Sequence, residues 1–399
     1  LNDYLKNVNS YSTFVDESYV EPKSVSITFP EKKRNLIYIF IESMEVTFTT
    51  PDHGGEFEMN LIPELETLAS EGEDFSGDDE KLNGALATEM TTWTIAGMFA
   101  QTTGMPLKSD LEPNDTKQLK ESFYSNITSL GDVLEKEGYK QYLLLGSDAR
   151  FGGRKTYFSK HGNYNIHDYL YAVDNNYIPS NYYKWWGYED EKLFDFAKKE
   201  LTEISKTGEP FNYTLLTADT HPEDGYVCEK CSNEYDVQYA NVIACSSKQV
   251  YDFVRWIQQQ PFYENTTIVL CGDHPTMEAD FCKGKKNRIH RKTYTCILNS
   301  AAKPVKDTKR EYTTLDLFPT TLAAMGAEIE GEKLALGTNL YSDKETLVEA
   351  NNLDEINKAL LSRSKLCEQL FYSEEEMNLD NPLRERTTED LLIPESAEE

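Results

Sequence analysis

Short apolar runs, spaced along the chain and fenced by polar segments, constrain this sequence more than any other feature. The first, Asn35-Leu36-Ile37-Tyr38-Ile39-Phe40-Ile41, is β-branched and almost continuous. That pattern suits a strand buried on both faces, because a strand with one wet face alternates instead. Similar runs recur over 141–145, 211–216, 267–271 and 294–298. Helical patterns lie between them, over 61–69 after Asn60, 127–136 after Asn126, 190–204, 241–259 and 314–325, the last stopping before Gly326. A single amphipathic helix is expected over 357–371. Strands alternating with helices predict an α/β fold with a mainly parallel central sheet sandwiched by helices. Ligands of such sheets bind beyond the carboxyl ends of the strands, so the residues that follow each run are the ones to read for chemistry. Residues 1–34 read as a linker or lead-in segment, 35–345 as the main α/β domain, and 346–399 as a C-terminal helix and acidic tail.

The chain has 399 residues, enough for one large α/β domain or two smaller ones, and its 39% hydrophobic and 12% aromatic content excludes a disordered chain. The formal net charge of −29 argues against nucleic acid and against flat adsorption on an anionic membrane, since both need a basic face. Acidic runs such as Glu71-Gly72-Glu73-Asp74 are expected to be mostly solvated surface. No stretch reaches the roughly 18 apolar residues of a membrane helix, and the opening Leu1-Asn2-Asp3-Tyr4 is not a signal peptide. The seven cysteines are odd in number and loosely spaced, so they do not form a disulfide framework. Cys228-x-x-Cys231 offers half a zinc site without a second pair, and Cys231 with Cys245 offers a local disulfide in an oxidising compartment. Cys271 and Cys296 lie inside apolar runs and read as core.

Two of the apolar runs end in chemistry. Glu42 follows the first directly, and the fourth ends Leu270-Cys271-Gly272-Asp273-His274. A lone carboxylate after a strand is usually a helix cap or a surface turn. Glu42, Asp273 and His274 on one edge of one sheet suit instead a single divalent metal such as Mn²⁺ or Zn²⁺. The segment Thr91-Thr92-Trp93-Thr94-Ile95-Ala96-Gly97-Met98 opens a helix, and a hydroxyl at a helix start meets the positive end of the dipole. Coordination there would lower its pKa and make it a nucleophile.

These segments resemble the alkaline phosphatase/sulfatase superfamily over residues 33–342. The resemblance is carried by Asn35 to Ser43, by Thr91 to Met98 with Gly104-Met105-Pro106-Leu107, by Arg150-Phe151-Gly152-Gly153 with Lys160-His161-Gly162, by Trp186-Gly187-Tyr188, by Thr217-Ala218-Asp219-Thr220-His221-Pro222, and by Gly272-Asp273-His274. Within the superfamily the chain looks like the membrane-anchored phosphoglycerol transferases that decorate periplasmic glucans, with lipoteichoic acid synthase a more distant likeness. The resemblance implies Glu42, Asp273 and His274 as ligands of one divalent metal, Mn²⁺ favoured over Zn²⁺ or Mg²⁺. It implies Thr91 as nucleophile and further ligand, although Met90 replaces the usual preceding Gly and Thr92 stands beside it. His221 is implied as the group that meets the phosphate or the leaving alcohol. Asp148, Arg150 and Arg154 are expected at the head group, with Thr92 and Trp186 lining the substrate cleft. His161 and His167 read as structural.

The implied reaction is transfer of glycerol phosphate from phosphatidylglycerol to a glycan, glycolipid or teichoic-type acceptor through a phospho-threonine-type intermediate. It would run on the outer face of the bacterial cytoplasmic membrane, with an N-terminal membrane portion preceding Leu1. A phosphoethanolamine transferase of the same superfamily and a catalytically inactive lipid- or glycan-binding domain are the alternatives. A sulfatase activity would need a Cys-x-Pro-x-Arg segment or its Ser equivalent, and none occurs.

Overall fold

The structure, a computed structural model, describes residues 6–7, 9–108, 123–306 and 308–371. The acidic tail expected over 372–399 lies outside the described residues. Seven strands form the central sheet: β1 Asn35–Ile41, β2 Gly84–Leu86, β3 Lys140–Leu145, β4 Asn165–His167, β5 Phe211–Leu216, β6 Thr266–Gly272 and β7 Lys292–Leu298. Their order across the sheet is β2-β7-β6-β1-β5-β3-β4. Strands β6, β1, β5, β3 and β4 pair in parallel, while β7 runs antiparallel to both β6 and β2. The fold is the expected one, a mostly parallel sheet covered by helices on both faces.

The continuity of the first run has a direct packing cause. Leu36, Tyr38 and Phe40 point into one core, and Ile37, Ile39 and Ile41 into the other. Both faces of β1 are dry, so neither set of positions tolerates a polar side chain. On one face pack the helices Thr94–Thr103 and Leu317–Ala324, and on the other Pro63–Glu71, Asp190–Ile204 and Gln238–Gln258.

The lead-in and the C-terminal segment are built into this unit. Ile27 and Thr28 pair antiparallel with Ile329 and Glu328, and Val20 exchanges backbone hydrogen bonds with Ala335. Ile356, Leu360, Leu370 and Phe371 join the core that contains Phe99. The single helix expected over 357–371 is two, Leu353–Leu361 and Lys365–Phe371. Ser362 turns extended, Arg363 N donates to the Ser10 carbonyl at 2.8 Å, and the Ser364 hydroxyl accepts from Cys367 N at 3.1 Å. A serine that caps a new helix competes with continuing the old one.

The Thr94–Thr103 helix is pressed against the end of β6. A Cβ added at Gly97 would lie 1.9 Å from the Asp273 carbonyl oxygen. Gln101 Nε2 donates to the Gly272 and Asp273 carbonyls at 2.9 and 3.2 Å. Gly97→Ala is therefore expected to lower unfolding stability by about 1–3 kcal/mol, as overpacking does. A denaturant melt unchanged from wild type would show that the helix has room to move off the strand.

Candidate active site

Strand register places the site. Ile41 of β1 pairs with Gly272 of β6, and Phe40 with Leu216 of β5. Leu216 in turn pairs with Leu145 of β3. The residues that leave these four neighbouring strands therefore emerge side by side: Glu42 after β1, Asp273 and His274 after β6, the 217–221 turn after β5, and the 146–154 loop after β3. The polypeptide is tight here, for a Cβ at Gly272 would meet the Met44 carbonyl at 1.8 Å.

Glu42, Asp273 and His274 are buried, at 2%, 0% and 0% exposure. One ligand atom from each lies within 4.8 Å of the others. His274 Nε2 is 3.3 Å from Glu42 Oε1 and 3.5 Å from Asp273 Oδ2. Further hydrogen bonds orient the cluster. Asp273 Oδ1 accepts from the Ser43 and His274 amides, both at 2.8 Å, and Glu42 Oε1 accepts from the Ser43 hydroxyl at 2.8 Å. His274 Nδ1 faces the Pro275 carbonyl at 3.0 Å. That contact fixes the ring so that Nε2 looks inward. Asp273 Oδ2 and His274 Nε2 are left without a proper hydrogen bond. Buried polar atoms rarely stay unpaired, and two inward-facing orphans beside a second carboxylate fit a divalent cation.

The electrostatics agree. Burial and the Glu42 charge both push the Asp273 carboxyl up. Burial is the largest influence on Glu42 and raises it, but the charge and hydrogen bond of His274, the His221 charge and the Ser43 hydroxyl together outweigh it and leave Glu42 low. Burial lowers His274, and Asp273 and Glu42 more than reverse it.

The hydroxyl that reaches these carboxylates is Thr94. Its Oγ1 donates to Glu42 Oε2 at 3.3 Å, from the first position of the helix after the extended Trp93. Thr91 makes local hydrogen bonds. It is fully buried, its hydroxyl donates to the Thr88 carbonyl at 2.9 Å and accepts from the Thr88 amide at 3.0 Å. Thr92 is buried beside it. The helix starts three residues later than the sequence suggests. Met90 takes up a left-handed turn (φ 63°) just before Thr91, whose hydroxyl bonds back to Thr88. The signal that could have found Thr94 is its place directly ahead of the apolar run and three before Gly97, which the close approach to Asp273 requires.

Around this centre the other expected residues divide. Arg154 is buried, donates to the Phe151 and Asp148 carbonyls, and is lowered to about 10 by burial, opposed by the charges of Glu42, Asp148 and Asp273. It remains a cation at neutral pH next to the carboxylates. Arg150 is instead exposed and paired with Asp148 at 2.5 Å. His221 lies close enough for its charge to act on Glu42, and the Trp186 ring stands 4.8 Å from its imidazole and 5.5 Å from Phe151. Phe151, Trp186 and His221 make a half-open aromatic wall. His161 is bonded to Asp132 and the Phe123 carbonyl, and His167 to Glu200, so both are structural, as the sequence suggested.

Sequence reasoning missed the support of the 217–221 turn. Asp190 accepts from the Ala218 and Asp219 amides at 2.7 and 3.1 Å, and Asp219 accepts from the Asp190 amide at 3.2 Å. Two carboxyls cross-linked in this way anchor the residues just before His221.

This architecture is that of a known family. A family model described as Sulfatase matches residues 34–327. The chain belongs to the sulfatase family, within the alkaline phosphatase/sulfatase superfamily. It is 32% identical over 322 residues to phosphoglycerol transferase I of Escherichia coli, with 78% of this chain matched. The chain spans only 39% of that relative's length. Among solved structures, one is a protein in the alkaline phosphatase superfamily from Vibrio parahaemolyticus, with TM-score 0.64 and 22% identity, covering 86% of this chain and 79% of that one. Another is the lipoteichoic acid synthase LtaP from Listeria monocytogenes, with TM-score 0.60 and 17% identity, covering 84% and 81%. At these identities the structures speak to fold alone.

Two measurements check the site. Mn²⁺ at a hundredfold excess over its Kd should stabilise the protein by about 2.7 kcal/mol, and Asp273→Asn should abolish the gain while leaving the metal-free protein no less stable. An equal gain in the variant would place the ion elsewhere. Burial, then the Asp190 charge, raises the Asp219 carboxyl from 3.8 to about 10. Its folded pKa exceeds its unfolded one, so its favourable contribution is full below pH 3.8 and is lost as pH rises towards about 10. Asp219→Asn should flatten that alkaline fall in stability, and parallel pH–stability curves for variant and wild type would refute the assignment.

Proposed function

We propose that this domain is the catalytic unit of a phosphoglycerol transferase, and that Thr94 is its nucleophile. One observation carries the reading: a helix-N-terminal hydroxyl bonded to a buried carboxylate–imidazole cluster at the convergence of four strand ends. The likeness to phosphoglycerol transferase I supports glycerol phosphate as the transferred group.

Glu42, Asp273, His274 and the Thr94 hydroxyl would hold a divalent ion, Mn²⁺ first. Bound there, it would lower the hydroxyl's pKa and neutralise charge on the phosphoryl oxygens. Glu42, hydrogen-bonded to Thr94, orients Oγ1 for attack. Thr94 reacts, and is later released, as the alkoxide, its proton having gone to solvent; the new bond joins its Oγ1 to phosphorus of phosphatidylglycerol, and the bond from phosphorus to the diacylglycerol oxygen breaks. His221 gives the departing oxygen its proton. In the second half the acceptor hydroxyl loses a proton to His221, bonds to phosphorus and releases Thr94. Arg154 meets the phosphoryl charge, and Trp186 with Phe151 walls the glycerol side. The acceptor is a glycan, glycolipid or teichoic-type polymer. The domain works on the outer face of the cytoplasmic membrane. No helix among the described residues is long and apolar enough to cross one.

The test is turnover of labelled phosphatidylglycerol with Mn²⁺. Thr94→Ala should lose roughly 10³-fold or more, as removal of a nucleophile does. Label should be trapped on Thr94 when acceptor is withheld. Thr91→Ala should cost about 1–3 kcal/mol of stability through its lost turn bonds and keep turnover within several-fold. The opposite ranking would restore Thr91. Cleavage of phosphatidylethanolamine in place of phosphatidylglycerol would make the enzyme a phosphoethanolamine transferase, and cleavage of neither would leave a binding domain.

A further inference from the structure

Beyond the His221 turn, the chain makes a long excursion over 222–237 before entering the Gln238–Gln258 helix. One face of that helix holds the excursion down. Gln238 Nε2 donates to the Asp224 and Gly225 carbonyls at 3.3 and 3.2 Å. Asn241 Oδ1 accepts from the Glu234 and Tyr235 amides at 2.8 and 2.9 Å, and its Nδ2 donates to the Tyr235 carbonyl at 2.7 Å. Cys245 and Gln249 continue the same face at helical spacing. There the partners change from backbone to sulfur.

Cys228 Sγ lies 3.6 Å from Cys245 Sγ and 3.7 Å from Cys231 Sγ. All three sulfurs fall within 4.8 Å of one another. In a tetrahedral site with Zn–S of about 2.3 Å, neighbouring sulfurs stand ~3.8 Å apart, so two edges of the triangle are already at ligand spacing. A disulfide would use two of these thiols and strand the third; a cation uses all three.

A second observation points into the same place. Gln249 is buried, with its Nε2 3.4 Å from Cys245 Sγ and 3.7 Å from Cys228 Sγ, while its Oε1 has no partner. Amide oxygen and nitrogen exchange by a flip of the group. The flip turns the orphaned oxygen onto the sulfurs and supplies a fourth donor.

We propose that Cys228, Cys231 and Cys245 bind a soft divalent cation, zinc first, with the Gln249 amide closing the fourth position. The ion clips the excursion to the helix a short way downstream of His221 and so limits how far that imidazole can move. This consequence rests on the role proposed for His221; the metal site itself does not. Three sulfurs select a softer ion than the carboxylates and imidazole of the active centre, so the two sites can be read separately.

The experiment is metal analysis and cobalt substitution of the whole chain, comparing wild type with Cys231→Ser, Gln249→Ala and Asp273→Asn. Cys231 is the half-buried member of the trio, so its serine variant is the least threatening to folding, and a melt confirms that it is folded. Wild type should carry zinc at this site and, with Co²⁺, show a sulfur-to-cobalt charge-transfer band. Asp273→Asn should keep the band. Cys231→Ser should lose it and one equivalent of zinc, and Gln249→Ala should weaken Co²⁺ binding on the order of tenfold, in the range of lost metal-shell partners. Absence of any sulfur-to-cobalt band in folded wild type would overturn the proposal. So would two thiols fewer than the chain's seven when the protein, purified without reductant, is titrated unfolded, since that reports a disulfide in place of the ion.

Discussion

Two carboxylates and an imidazole are buried together at the ends of two adjacent strands, and the surroundings are arranged to bear that charge. Removing ionised groups from water costs several kcal/mol each unless they are paired and hydrogen-bonded. The backbone amides of Ser43 and His274 serve one oxygen of Asp273, the Ser43 hydroxyl serves Glu42, and Arg154 brings a buried positive charge nearby. What is left over, an inward carboxylate oxygen and an inward imidazole nitrogen, is what a cation would complete. Charge held in so dry a place acts more strongly than in water.

That cluster exists only because the framework around it cannot slip. Parallel register brings residues 42 and 273 abreast. The close approach at Gly97 and the Gln101 side chain lock the Thr94–Thr103 helix onto the β6 end, so the Thr94 hydroxyl arrives at a set height above Glu42. The Asp190–Asp219 cross-link does the same for the turn before His221. Each device trades a side chain's freedom for placement. A transfer reaction gains from this, since positioning of the reacting groups can supply a large part of the barrier reduction.

Much of this was legible in the amino-acid sequence. The five apolar runs became strands with nearly the expected bounds, because burial on both faces leaves a continuous apolar signature that few other structures share. Glu42, Asp273 and His274 were legible as a group, since a strand's carboxyl end is read directly from where the apolar run stops. Short edge strands were not: Gly84–Leu86 and Asn165–His167 owe their existence to partners far along the chain. Nor was the break at Ser362–Ser364, where a contact with Ser10 from the opposite end of the chain decides where one helix stops and the next begins.

The threonines mark the boundary most clearly. From sequence, Thr91, Thr92 and Thr94 are three hydroxyls near one helix start, and a family likeness alone pointed to the first. Which of them faces the carboxylates depends on a left-handed turn at Met90 and on the docking of a helix against a strand more than 170 residues away, as the Gln101–Gly272 contact shows. The cysteines follow the same logic: Cys228 and Cys231 are neighbours in the chain, but Cys245 joins them only because a helix brings it back. The sequence by itself determined the strands, the layering and the residue types at the strand ends, because these follow from local periodicity and burial. Tertiary structure alone decided which hydroxyl, which arginine and which sulfurs converge, because convergence is set by register and by packing between segments distant in the chain.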